Sequence, residues 1–177
     1  MSKEFQDSLV HRTGMALAAV ILLALVNMVA SYLVAESSEN DAVRINLAGS
    51  LRMQTYRIAN DYTLQQAASS VASRADLVQA VAEFEKRLAR PILAQHIRNS
   101  GNQILGDAFA LIEESWAQLK PELLAKNSDQ KQVLAQADRF VADINTLVKK
   151  LELQTENKFR VLRLIQGICL SLTILLA

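Results

Sequence analysis

"GMALAAVILLALVNMVASYLVA", residues 14–35, is a run of 22 residues without a charge. At about 1.5 Å per residue, a helix of that length crosses a hydrocarbon core of roughly 30 Å. The run is too long for a signal-peptide core, and "VASYLVA" is a weak cleavage site, so an uncleaved transmembrane helix is expected. Past it, the helix is expected to continue through Asp41 to about Ala68, with Gly49 as its only breaker. Reading outward from this run, the chain becomes a set of long helices.

A second apolar run, "LIQGICLSLTILLA", fills residues 164–177. Its 14 residues fall short of the roughly 20 that a span requires. It reads as the first part of a second transmembrane helix in a fragment that stops inside it. Lys3, His11 and Arg12 precede the first span and favour a cytoplasmic N-terminus. The expected order is therefore a cytoplasmic segment (1–13), a span (14–35), an external domain (36–163) and a truncated span (164–177). In a bacterial inner membrane, the external domain is periplasmic. The single cysteine, Cys169, sits in the second run, so no disulfide frames the outer segment.

Composition agrees with an all-α protein. Of 177 residues, 51% are hydrophobic, and five glycines with two prolines leave little material for turns. Lys, Glu, Gln, Ala and Leu between the apolar ends make a long-helix composition. A formal net charge of +1 gives no case for nucleic acid, which calls for a clearly basic face.

Four helical stretches are expected between the spans. The first ends near Ala68, and "ASSVASRAD" reads as a connection in which Asp76 caps the next helix. Leu77, Val78, Val81, Phe84 and Leu88 recur there at helical spacing. Pro91 should end or kink that helix near Arg90. "HIRNSGNQ" is a second connection, rich in turn residues. A third helix starts about Asn102 with Ile104, Leu105, Phe109, Ile112, Trp116 and Leu119 as its inner stripe, and Pro121 either ends or bends it. After "AKNSDQ", with Ser128 or Asp129 as cap, the last helix carries its stripe from Val133 to Leu151 and runs into the second apolar segment. The expected fold is a membrane-anchored, up-down-up-down four-helix bundle flanked by two transmembrane helices, in a parallel homodimer.

Chemistry concentrates in "RINLAGSLRMQTYR", residues 44–57, with three arginines and no acid. Ile45, Gly49, Arg52 and Tyr56 follow at spacings of four, three and four and so share one helix face. Gly49 lets another helix or a ligand approach its backbone, and Ala48 keeps the neighbourhood small. Leu47, Leu51 and Ile58 fall on another face, suited to the bundle interior. Arg44 has Asp41 as a partner three residues earlier, and Arg57 has Asp61 four later, but no acid lies three or four residues from Arg52. If two copies associate in parallel along this helix, the two Arg52 side chains face each other and repel unless an anion sits between them. A planar oxyanion matches the paired donors of a guanidinium.

The run Ile45-Asn46, Ala48-Gly49-Ser50-Leu51-Arg52-Met53-Gln54 and Tyr56-Arg57 resembles the P-box of bacterial nitrate/nitrite sensor histidine kinases of the NarX/NarQ type. It also resembles the related N-terminal domain of type IV pilus chemotaxis-like transducers. The layout of span, P-box helix, bundle and span agrees over the whole chain. The first resemblance implies that nitrate or nitrite binds on the dimer axis between the Arg52 side chains, lined by backbone near Gly49 and walled by Ile45 and Met53. Arg57, Ser50 and Ala48 are secondary candidates, and Thr55 stands where a serine is expected. It further implies a cytoplasmic histidine kinase signalling to a cognate response regulator. The second implies the ligand-binding region of a pilus or chemotaxis-like transducer, and a membrane-anchored helical module without ligand is a third possibility.

No catalytic residue, cofactor or metal site is expected. His11 and His96 are isolated, with His96 read as a surface residue in a connection, and no phosphate loop or nucleophile–base signature occurs. Trp116 and Phe109 read as core, and Asn27 and Ser31 as residues able to hydrogen-bond between helices within a membrane.

Overall fold

The computed structural model describes residues 3–68, 71–125 and 128–176. Five helices follow in order: α1 (Lys3–Ala68), α2 (Val71–Leu88), α3 (Ala94–Asn99), α4 (Gln103–Leu124) and α5 (Gln130–Leu176). Among the described residues there is no strand. The chain divides into two compact units, Asn40–Leu153 and Met1–Glu39 with Gln154–Ala177.

The Asn40–Leu153 unit is the bundle. Its interior takes Leu47, Leu51, Ile58 and Tyr62 from α1, Leu77, Val81, Phe84 and Leu88 from α2, and Leu105, Phe109, Ile112, Trp116 and Leu119 from α4. From α5 it takes Val133, Ala137, Phe140, Ile144, Leu147, Val148 and Leu151. Three aromatic rings meet at its middle: Phe84 lies 4.2 Å from Trp116 and 5.6 Å from Phe140, centroid to centroid, and Trp116 lies 5.5 Å from Phe140. These tilted contacts add to the area the rings bury. Tyr62 is fully buried, and its hydroxyl donates to the Ser128 carbonyl at 3.3 Å, tying the far end of α1 to the connection before α5.

Helix ends follow local chemistry. The Asn102 side chain accepts from the backbone N–H of Ile104 (3.1 Å) and Leu105 (3.4 Å), capping α4 as its short polar side chain allows. The Asp129 side chain does the same for Lys131 at 3.0 Å. Gly101, with φ of 65°, supplies the left-handed turn before α4. Pro121 lies inside α4, which continues to Leu124. Where bending or ending were both open from sequence, the helix carries on past the ring.

Four expectations need correction. The α2 helix begins at Val71, so Asp76 is an interior residue and not its cap. Nothing between Val71 and Leu88 breaks a helix, so residues 71–76 of the expected connection are helical, while residues 69–70 lie outside the described residues. Val78 is 47% and Ile104 62% exposed. Each stands beside the true stripe, in which the adjacent Leu77 and Leu105, expected along with them, are buried. Residues 96–99 of the expected second connection belong to α3, because Leu93, Ala94 and Ile97 bury their side chains and a helical turn presents all three to the core. Finally, the bundle's four long helices are joined by this fifth short one.

In the other unit, α1 carries the helix that is long and apolar enough to cross a membrane, and its most apolar window buries nothing within the chain. Leu22, Met28 and Tyr32 are each more than 60% exposed. An apolar surface left uncovered by its own chain fits a helix with lipid around it. Here α1 and α5 exchange two polar contacts: Gln166 Nε2 donates to Ser31 Oγ at 3.3 Å and Lys158 Nζ to Ser37 Oγ at 2.8 Å. Ser31 thus bonds between helices as expected, while Asn27 Oδ1 is buried without a donor.

Two outcomes follow for the bundle. Phe140→Ala removes one ring of the central trio and should cost about 3–5 kcal/mol in chemical denaturation. The Glu85 carboxyl accepts from Lys120 Nζ at 2.6 Å and from Trp116 Nε1 at 3.2 Å. The Lys120 hydrogen bond chiefly holds its pKa below the ordinary 4.5, against an opposing push from burial. A carboxyl depressed in the folded state stabilises above its unfolded pKa, and that contribution fades as pH falls through the folded value. Thermal melts should therefore show wild type losing stability on acidification below about pH 4.5 and Glu85→Gln losing less. Because Glu85 is partly exposed, the difference should stay below about 1 kcal/mol.

Candidate ligand-binding groove

One face of α1 in the bundle unit is not covered by the other helices. It floors an open groove of about 910 Å³, with Ile45, Gly49, Ser50, Arg52, Met53 and Arg57 from α1, Arg87 from α2, and Val148 and Glu152 from α5. The helical period makes this possible. Leu47, Ala48, Leu51, Thr55 and Ile58 turn inward and are buried, leaving the intervening positions for the groove.

Gly49 and Arg52 form its working part. The Arg52 side chain folds back one turn along α1, and its Nε donates to the Gly49 carbonyl at 3.4 Å. A β-carbon on Gly49 would stand 3.2 Å from Arg52 Nη2, so the missing side chain is the space the guanidinium lies in. Arg52 Nη1 donates to Asn145 Oδ1 on α5 at 2.9 Å. Among the described residues no carboxylate pairs with Arg52.

The other two arginines have different settings. Arg44 is 7% exposed and ion-pairs with Asp41, as the spacing implied. Arg57 is exposed and stands 3.8 Å from Asp61 and 3.7 Å from Glu83, loose contacts for charged groups. Ser50 Oγ donates to the Leu47 carbonyl at 2.7 Å and accepts from Arg87 Nη1 at 3.5 Å. Met53 is 72% exposed and Ile45 half-buried against the core, so both wall the groove. Ala48 is fully buried, belongs to the bundle interior and does not line the groove. Thr55 is also buried, its hydroxyl donating to the Leu51 carbonyl at 2.9 Å, so it serves packing and not the groove.

Sequence reasoning missed Asn145, Arg87 and Glu152. All three come from other helices, and no local spacing connects them to residues 44–57. The one available hint was negative: an arginine on a half-buried face without a nearby acid needs an acceptor from elsewhere in the fold.

An all-helical bundle whose first helix also contains a long apolar run, with a cationic groove on that helix's face within the bundle, has the build of a receptor's sensory region. The chain belongs to the family described as the N-terminal domain of type IV pili methyl-accepting chemotaxis transducers, whose model matches residues 33–140. The match takes in the groove face of α1 and runs through α2, α3 and α4 into α5. Of the two resemblances carried by residues 45–57, this is the one the match supports. No curated protein matches the chain.

Gly49→Ala tests the local geometry. Alanine favours the helix by about 1 kcal/mol over glycine, while its β-carbon crowds the guanidinium. The variant should melt at or above the wild-type temperature, and the Arg52 Nε–H resonance should move as the side chain leaves the Gly49 carbonyl.

Proposed function

We propose that this chain is the sensory part of a membrane-anchored, homodimeric chemotaxis-type transducer that recognises a small oxyanion, with nitrate and nitrite as the leading candidates. The observation that carries the reading is Arg52: a guanidinium ordered over Gly49, on an open groove, with no carboxylate paired to it among the described residues. The family match supports a transducer, and its description supports a methyl-accepting chemotaxis output in place of a histidine kinase. The choice of nitrate and nitrite rests on the resemblance of residues 45–57 to the P-box.

In the proposed mechanism two copies pack in parallel along the outer face of α1, which brings their Arg52 side chains towards a common axis. Two unneutralised guanidiniums there repel, and a planar anion that accepts from both holds the helices together. A ligand shifts a conformational equilibrium only through its different affinity for the two states, and the Arg52 pair supplies that difference. The bundle lies outside the membrane, with the N-terminus and the output on the cytoplasmic side.

Titration calorimetry of sodium nitrate into the detergent-solubilised chain tests this. Binding should saturate at one anion per dimer, and Arg52→Ala should weaken it by at least about 100-fold, since each anion loses charge-assisted hydrogen bonds from two subunits. Unchanged binding in Arg52→Ala would sink the site. Binding of other small anions in preference to nitrate would keep the site and change the ligand.

A further inference from the structure

We propose that Asn145 is a positioning residue for the anion site, holding the Arg52 guanidinium in its receiving orientation without neutralising it. The proposal rests on the anion-sensing reading of Arg52 and adds to it a residue from a different helix, 93 positions further along the chain.

The geometry is specific. Arg52 has five N–H donors. Nε–H is directed to the Gly49 carbonyl at 3.4 Å and Nη1 to Asn145 Oδ1 at 2.9 Å, so three remain for a ligand. The two acceptors lie on different helices, and together they fix a side chain that otherwise samples many rotamers. Ordering it before the ligand arrives removes that entropic cost from the binding step. Asn145 is itself well placed to hold a position. Its side chain is exposed, but its neighbours Ile144 (0% exposed) and Val148 (5%) anchor the same turns of α5 in the core.

The residue type matters as much as the place. An amide oxygen carries a partial charge. It orients the guanidinium and leaves the unit charge available to the groove. A carboxylate at the same point would form an ion pair and compete with any external anion. The charged groups sharing the groove do not take that role: Glu152 stands 3.6 Å from Lys149, and Arg57 and Arg87 are cations. The Arg52–Asn145 bond also joins α1 to α5, the two helices that continue into the apolar segments of the chain.

The test is nitrate titration on the full chain in detergent, with Asn145→Asp, Asn145→Ala and Asn145→Gln beside Arg52→Ala, and with thermal melts of each in the absence of nitrate. Asn145→Asp should bind nitrate at least about tenfold more weakly while melting no lower than wild type, because the new ion pair holds the fold and occupies the arginine. Asn145→Ala should weaken binding two- to fivefold, and Asn145→Gln, which keeps an amide within reach, should stay within about twofold. A purely structural role cannot weaken the ligand and leave the unliganded protein as stable. Wild-type affinity in Asn145→Asp, with binding lost in Arg52→Ala, would make Asn145 a bystander and overturn the proposal alone. Tighter binding in Asn145→Ala would overturn it as well, by making the amide a competitor. Wild-type binding in Arg52→Ala would overturn the anion-sensing reading and this proposal with it.

Discussion

The stretch of α1 from residue 44 to residue 58 has to satisfy two environments on the same turns. Its inward positions, Leu47, Ala48, Leu51, Thr55 and Ile58, are buried against the other helices. Its outward positions carry Gly49, Arg52 and Met53 into a groove. A helix turns 100° per residue, so neither set can move without the other. The packing is therefore what gives the arginine a direction. Leu51 is fully buried next to Arg52 in sequence, and it fixes the backbone from which the guanidinium folds back over Gly49. On an isolated helix, the same arginine would be solvated in many rotamers.

Three arginines on this stretch meet three electrostatic settings. Arg44 is buried with Asp41, and removing that carboxylate would strand the guanidinium in the interior at a cost of about 3–5 kcal/mol. Arg57 shares two carboxylates at distances beyond a good hydrogen bond and is largely exposed, a contact worth about 1 kcal/mol or less. Arg52 has two neutral oxygens as acceptors, so its position is fixed and its charge is not cancelled. Of the three, it alone joins order to unneutralised charge, the pairing that recognition of an anion requires. Arg44 is ordered but neutralised, and Arg57 is only loosely held.

How much of this the sequence disclosed depends on whether the cause was local. The long helices, the start of α4 near Asn102, Asp129 as one of two candidate caps and the inward stripe of α5 follow from periodicity and from side chains within a turn of each other, and they were legible. Val78 and Ile104 were misassigned because period alone does not say which of two adjacent apolar residues faces the core; the partner helix decides. The α3 helix was missed because turn-forming residues after His96 outweighed Ala94 and Ile97, whose burial drives its formation. In the groove, Ile45, Gly49 and Arg52 were readable as one face of one helix, and Met53 came from the resemblance to the P-box. Ala48 was placed with them by proximity in sequence, yet it lies 100° from Gly49 around the helix and packs inward. Asn145 and Arg87 approach through tertiary structure, and nothing near residue 52 announces them.

That division bears on how a ligand at the groove could be felt elsewhere. Among the described helices, α1 and α5 alone have residues in both compact units of the chain. The ordered arginine takes its backbone from one of these helices and its amide acceptor from the other. A change in the arginine's charge environment therefore acts on both at once, by altering a bond that links them. Had the acceptor come from α2 or α4, the link would have ended within the bundle. With Asn145 as acceptor, the proposed anion site takes its atoms from the two helices that have residues in both units.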